Sequence, residues 1–292
     1  MNSIIVCNTG SDSLSKVNIS DFSAENLTLS LGEKPIGPHE IHVKKNIIYT
    51  ANNYNNTISV IDGEKFKEKS SIYIGPYPND LVSYKDNLYI ACAEANTVIV
   101  YDIKEQRIGF EIAIDRWPHN IEVCNKNGLI FVSNLESDSV CVIDGVNNKV
   151  IKRLKTFEYP TKIKISKDKS MLYVCESYMG EDTGGYIEIF SLKTLESIKR
   201  IKVGNSPVDI CDDGNSLFIS NFSDGTISKI SKKLFEEVNK IYVGGMPKGI
   251  VKYKDRIFIS DYLRGKLVIF DLLKEEKKVI TIGKEPNAMT LY

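Results

Sequence analysis

Seven copies of a unit of about 42 residues, each made of four short runs rich in Val, Ile, Tyr and Phe, predict an all-β fold. That fold is a seven-bladed β-propeller of four-stranded antiparallel blades, occupying residues 1–292 as a single domain. Three observations carry the prediction. Equivalent positions fall at Asn8, Asn52, Cys92, Asn134, Glu176, Asn221 and Asp261, with steps of 44, 40, 42, 42, 45 and 40 residues. A proline recurs seven times, at Pro38, Pro78, Pro118, Pro160, Pro207, Pro247 and Pro286. The phase of the repeat also leaves a lone first strand, Pro286 to Tyr292, at the carboxyl end, and a blade that lacks its first strand at the amino end.

Each blade element has its own signal. The first strand follows the proline, as in Ile121-Glu122-Val123-Cys124 and Ile163-Lys164-Ile165. The second is aromatic and β-branched (Leu217-Phe218-Ile219-Ser220), and the third alternates (Val98-Ile99-Val100-Tyr101). The fourth ends near a glycine (Lys240-Ile241-Tyr242-Val243-Gly244). β-Branched and aromatic runs bounded by Asn, Asp and Gly are strand signals. Leu234-Phe235-Glu236-Glu237-Val238 can be misread as helix, but an α-solenoid would need two helices in every unit and the pattern offers none. The last seven residues therefore supply the missing strand of the first blade, which is built from about 1–31 plus 286–292 and closes the ring.

The chain has 38 basic and 38 acidic side chains, so no chain-wide charge is available for nucleic acid. No run approaches the ~18 apolar residues of a membrane span. Ile4-Ile5-Val6-Cys7-Asn8 is too short for the apolar core of a secretory signal and belongs to the fold, so the expected compartment is the cytoplasm. The six cysteines (7, 92, 124, 141, 175 and 211) form no CxxC or metal-type pair. Cys7 and Cys175 share a slot with Ala51, Ala91, Ser133, Ser220 and Ser260, so small-residue packing explains them. Asp62, Asp102, Asp144 and Asp271 recur at the end of the third strand and are expected to hold turns. The lysines in 65–69 and 274–278 fall on third-to-fourth strand hairpins as solvated charge that discourages edge pairing.

Tyr49-Thr50-Ala51-Asn52, Ile58-Ser59-Val60-Ile61-Asp62 and Val203-Gly204-Asn205-Ser206-Pro207 resemble the YVTN-repeat β-propellers, in which a Tyr-Val-Thr-Asn strand, a Val-Ser-Val-Ile-Asp strand and a Val-Gly-x-x-Pro turn recur. The resemblance runs through all seven units. It implies the WD40-like propeller architecture of surface-layer and periplasmic proteins, and one fold hosts many roles.

Departures from the repeat point to one loop face. From the Asn52-type position to the start of the third strand is a step of six residues in six units but 11 in the fifth, from Glu176 to Ile187, so an insertion occupies 178–186. It includes Tyr178, Glu181 and Asp182. Aromatics gather at loop positions of the same face: Tyr54, Tyr77, Trp117, Tyr159, Phe222 and Tyr262. Tyr77, Trp117 and Tyr159 each precede the proline and have packing on it as a simpler explanation. Polar residues after the prolines are expected to rim a central mouth: His39, Glu40, Asp80, His119, Lys162, Asp209 and Lys248. A water-filled polar mouth is expected there, with no metal and no cofactor.

Two functions remain. One is a non-catalytic, monomeric binding scaffold that presents the loop face and mouth to a peptide, glycan or protein partner through Tyr54, Trp117, Tyr178, Glu181, Asp182, Phe222 and Tyr262, with His39, Asp80, His119, Asp209 and Lys248 at the mouth. The alternative is a hydrolase or lyase of the propeller lactonase type, with His39, Glu40, Asp80, His119 and Asp209 as acid and base candidates. Electron transfer is disfavoured by the absence of CxxCH.

Overall fold

The computed structural model describes residues 2–178 and 184–292. Among them lie seven four-stranded antiparallel sheets, the blades of a seven-bladed β-propeller. Every first strand begins on the recurring proline: Pro38–Lys44, Pro78–Tyr84, Pro118–Cys124, Pro160–Ile165, Pro207–Asp212, Pro247–Tyr253 and Pro286–Leu291. The start of a strand is where a residue without a backbone N–H costs no ladder bond. Pro286–Leu291 pairs antiparallel with Ser3–Asn8, with Ile4 opposite Leu291 and Val6 opposite Met289, so the first blade takes strands from both chain ends. Among the described residues the only helical piece is the 3₁₀ turn Thr9–Ser11. The helix-like run at 234–238 lies instead at a hairpin, where Phe235 takes a positive φ of 54° and leads into the strand Glu236–Tyr242.

The blades fall into two compact units, one formed by Met1–Leu81 with Gly245–Tyr292 and the other by Val82–Gly244. Within each, neighbouring blades bury apolar side chains from their second and third strands. In the second unit Ala91, Val98 and Val100 of one blade share a cluster with Ile130, Val132, Cys141 and Ile143 of the next. In the first unit Ile4, Val6 and Met289 pack with Phe258, Leu267 and Ile269.

The repeated asparagine holds the blade together from within. Asn52 Nδ2 donates to Thr57 Oγ1 at 3.0 Å and Ser59 Oγ at 2.9 Å. Asn8 reaches Ser15 at 2.9 Å and Asn221 reaches Ser228 at 2.8 Å in the same way. These amides are buried, so each satisfies polar atoms that water cannot reach. The recurrent aspartates hold turns as expected. Asp102 Oδ1 accepts the N–H groups of Lys104 and Glu105 at 2.8 and 2.9 Å, and Asp271 Oδ1 accepts those of Leu273 and Lys274, both at 3.1 Å. Such backbone bonds hold the Asp62, Asp144 and Asp271 carboxyls below the usual carboxylate range.

Five of the six cysteines are buried, and Cys211 is half-buried. Burial pushes the Cys92 thiol up to about 12 and those of Cys7 and Cys175 well above their ordinary value. A neutral thiol is a poor nucleophile. Alkylation of the native protein at neutral pH should therefore modify Cys211 first and leave Cys7, Cys92 and Cys175 untouched until denaturant is added. Peptide mass mapping checks this, and rapid native labelling of Cys92 would contradict it.

Candidate functional site

The residue before six of the seven first strands bends the backbone sharply. Tyr77, Trp117, Tyr159, Ser206 and Glu285 all have φ between 50° and 57°, and Gly37 has 64°. Bulky residues avoid this region unless their surroundings enforce it. Here the peptide groups are tied on both sides. The N–H groups of Tyr77, Trp117 and Tyr159 donate to Asn56, Asn96 and Asp138 of the preceding blade at 3.0, 2.8 and 3.2 Å. The Trp117 carbonyl accepts Leu135 N–H at 2.9 Å, and the Tyr159 carbonyl accepts Ser177 N–H at 3.1 Å. The bend is a property of the framework, whichever side chain it carries.

In the unit of Met1–Leu81 and Gly245–Tyr292, these bends and the second-to-third strand loops bring Tyr54 and Tyr262 into the field of one carboxylate, Glu285, and Tyr77 acts on Tyr262. Burial, Glu285 and Tyr54 together push the Tyr262 hydroxyl up to about 12, and Tyr262 also hydrogen-bonds Glu285. Burial first, then Glu285 and Asp12, raise Tyr54. Two glycines make room. A Cβ on Gly37 would stand 2.4 Å from Tyr54 Cδ2, and one on Gly10 would stand 2.8 Å from the Glu285 carboxyl carbon. Asp12 Oδ1 accepts the N–H groups of Ile36 and Gly37 at 2.8 and 2.9 Å, fixing the floor under the Tyr54 ring. Tyr54 is nevertheless 47% exposed, so an aromatic face meets solvent beside two acids.

The predicted mouth residues of this unit are placed as follows. His39 Nδ1 lies 3.0 Å from the Asn79 carbonyl; a carbonyl only accepts, so Nδ1 carries a proton. Asp80 is buried and accepts Leu81 N–H at 2.7 Å. Glu40 and Lys248 are half-buried on their first strands.

In the unit Val82–Gly244, Trp117 and Phe222 are half-buried, and Tyr159 is 40% exposed. His119 Nδ1 lies 3.3 Å from the Thr161 carbonyl, and Asp209 Oδ1 accepts Ile210 N–H at 2.8 Å. Lys164 forms an ion pair with Glu122 at 2.5 Å, which raises its pKa, and Lys162 and Asp209 also act on it. Asp80 and Asp209 are thus each engaged by the next backbone N–H. Among the described residues no group of three His, Cys, Asp or Glu is arranged to hold a metal ion. Nor is any helix among them long and apolar enough to cross a membrane.

The Tyr178 hydroxyl accepts from Arg200 at 2.7 Å, inside a cluster with Glu176 and Glu188. Glu181 and Asp182 lie outside the described residues. Sequence reasoning noted Glu176 as an equivalent of Asn52 but did not single out Glu188 or Arg200, nor Glu285. Two clefts were also missed. One of about 480 Å³ lies on the loop side between Arg116, Glu136, Asp138 and Tyr159. The other, of about 590 Å³, lies at the hairpin turns between Asn18, Tyr253, Lys254, Arg256 and Lys274. Both are made by turn side chains from different blades, which no single repeat encodes.

Seven blades, six of them opened by a framework bend whose side chain differs from blade to blade, define a repeat propeller whose individuality sits in its loops. Over residues 1–291 the chain matches the family described as YNCE-like beta-propeller, and it belongs to that family. It is 27% identical over 204 residues to Antigen Lp49 of Leptospira interrogans, covering 63% of this chain and 44% of that protein, so it spans less than half the relative's length. Among solved structures it resembles a functionally unknown protein from Desulfotomaculum acetoxidans, with a TM-score of 0.81, 13% identity and coverage of 99% and 98% of the two chains. It also resembles a putative 6-phosphogluconolactonase from Bacteroides fragilis, with a TM-score of 0.78, 14% identity and coverage of 99% and 97%. At these identities the structural likeness concerns the fold alone.

Proposed function

We propose that this protein is a non-catalytic binding module, and that the tyrosine surface around Glu285 receives a peptide or protein segment bearing a cationic side chain. The observation that supports this most is the placing of Tyr54 and Tyr262 beside Glu285, with Tyr77 acting on Tyr262 and Asp12 on Tyr54. Tyrosine faces attract cations through their ring quadrupoles, and a nearby carboxylate adds to the attraction. Tyrosine also offers a large amphipathic contact area with few torsions to freeze, which is why it dominates binding hot spots. The alternative reading, a hydrolase or lyase, would use His39, Glu40, Asp80, His119 and Asp209, of which Asp80 and Asp209 each accept the next backbone N–H through Oδ1.

Titration with matched lysine-rich and glutamate-rich peptides, followed by fluorescence anisotropy at low salt, tests the reading. The basic peptide should bind and the acidic one should not. Replacing Tyr54 and Tyr262 together by Ala should weaken binding about tenfold or more. Equal binding of both peptides, or full affinity in the double variant, would remove this surface as the site.

A further inference from the structure

Blade five departs from a polar pattern that three other blades share. Where Asn8, Asn52 and Asn221 bond Ser15, Ser59 and Ser228, the corresponding positions of this blade hold Glu176 and Glu188. Both are buried, with relative exposures of 0% and 4%. A neutral amide–hydroxyl pair has been exchanged for two carboxyls.

A single cation faces them. Arg200, directly across the ladder from Glu188, donates from Nε to Glu176 Oε2 at 2.6 Å and from a terminal nitrogen to the Tyr178 hydroxyl at 2.7 Å. Its guanidinium is stacked with its carbon 3.6 Å from the Tyr186 ring centre and 3.9 Å from that of Phe157. Glu176 Oε1 accepts Phe157 N–H at 3.1 Å, and Glu188 Oε1 accepts the Ser197 hydroxyl at 2.6 Å. The remaining oxygen, Glu188 Oε2, is buried and has no hydrogen-bond partner other than what a proton would provide. Among the described residues, Glu158 also acts on Tyr178, and Lys202 is paired across from Tyr186.

We propose that blade five contains a proton-operated latch: one proton shared between Glu188 and Glu176 sets whether Arg200 holds the Tyr178 hydroxyl. With the proton on Glu188, its O–H donates to Glu176. The orphaned oxygen is then satisfied and the cluster carries one negative and one positive charge. When the proton leaves for solvent, two adjacent carboxylates compete for one guanidinium. Arg200 turns toward them, and its bond to the Tyr178 hydroxyl is given up. Two interacting carboxyls titrate as a pair. Burial, with the Glu176 bond second, pushes Glu188 up to about 7, which puts the transition near neutrality.

The full-length protein with ¹⁵N-labelled arginine and ¹³Cζ-labelled tyrosine tests this by NMR between about pH 5.5 and 8.5. The Arg200 Nε–H and Tyr178 Cζ signals should move together with a midpoint near 7. In Glu188→Gln both should stay flat, because the amide supplies a donor at every pH. If that variant does not fold, Glu188→Ser, the residue used in three other blades, takes its place. Flat signals in the parent protein, or an unchanged midpoint in the variant that folds, would overturn the latch.

Discussion

A chain ending before Pro286 should fail to fold cooperatively. The strand Pro286–Leu291 covers Ser3–Asn8, whose Ile4, Ile5 and Val6 are fully buried. Its own Ala288 and Met289 are buried too. The Tyr292 carbonyl accepts the N–H groups of Asn2 and Ser3 at 2.9 and 3.1 Å, and the Asn287 carbonyl accepts the Ser260 hydroxyl at 3.0 Å in the adjoining blade. Gly249 is matched to the strand so closely that a Cβ there would stand 2.5 Å from the Asn287 carbonyl oxygen. Full burial of one large aliphatic side chain contributes about 1.5–3 kcal/mol. Exposing three of them together with the loss of Met289 therefore costs on the order of 10 kcal/mol, comparable with the roughly 5–15 kcal/mol that stabilises a whole domain. Far-UV circular dichroism and urea titration of residues 1–285 decide the matter. A cooperative transition at the parent's midpoint would show that the terminal strand is dispensable.

Arg200→Ala should be the most damaging single substitution in blade five. It leaves Glu176, fully buried, without the guanidinium 2.6 Å away. Breaking a buried pair from one side costs about 3–5 kcal/mol, because the surviving charge stays desolvated. The loss should depend on pH with a definite sign. Glu188 has a raised pKa in the fold, about 7 against an ordinary 4.5, so the folded state binds the proton more strongly than the unfolded chain. The stability linked to that proton is present below about 4.5 and disappears as pH rises through about 7. For the parent protein the linked term is of order 2–3 kcal/mol across that window. Without Arg200 to offset the second charge, the decline should be steeper. Urea titrations at about pH 5 and pH 8 measure it. The compensating variant is Glu176→Asn with Glu188→Ser and Arg200→Ala, which restores the neutral pair of the other blades and should regain most of the loss, as buried ion networks replaced by well-matched neutral groups usually do. An Arg200→Ala protein as stable as the parent at pH 8 would contradict the argument.

The repeat made the blades legible because each element is written locally. A proline opens every first strand, an asparagine closes four of the seven second strands and an aspartate ends four of the third, each for a hydrogen-bonding reason confined to a few neighbours. The blade-five cluster was half legible. Glu176 stands visibly in an asparagine slot, and aligning Glu188 with Ser59 reveals the second substitution. Arg200, 24 residues from Glu176, enters only through strand pairing. Tyr54, Tyr77 and Tyr262 are readable from the sequence as aromatics at loop positions, but Glu285 beside Tyr54 and Tyr262 is not. Glu285 looks like any loop acid until the chain's last blade element is laid beside its first. The clefts had no sequence signal, since their walls come from hairpins on separate blades. The left-handed bends were hidden for a different reason: tyrosine and tryptophan are residues that ordinarily argue against that conformation.

Those bends have a consequence for how the molecule can change. Because Asn56, Asn96 and Asp138 hold the main chain at Tyr77, Trp117 and Tyr159, the backbone direction there is decided by a neighbour and not by the resident side chain. Glycine, tyrosine, tryptophan, serine and glutamate already occupy equivalent bends at Gly37, Tyr77, Trp117, Ser206 and Glu285. The framework thus works as a set of fixed sockets with exchangeable fittings. Substitution at a socket alters what the loop side displays while the blades remain in register, so new recognition can evolve, or be engineered, one residue at a time.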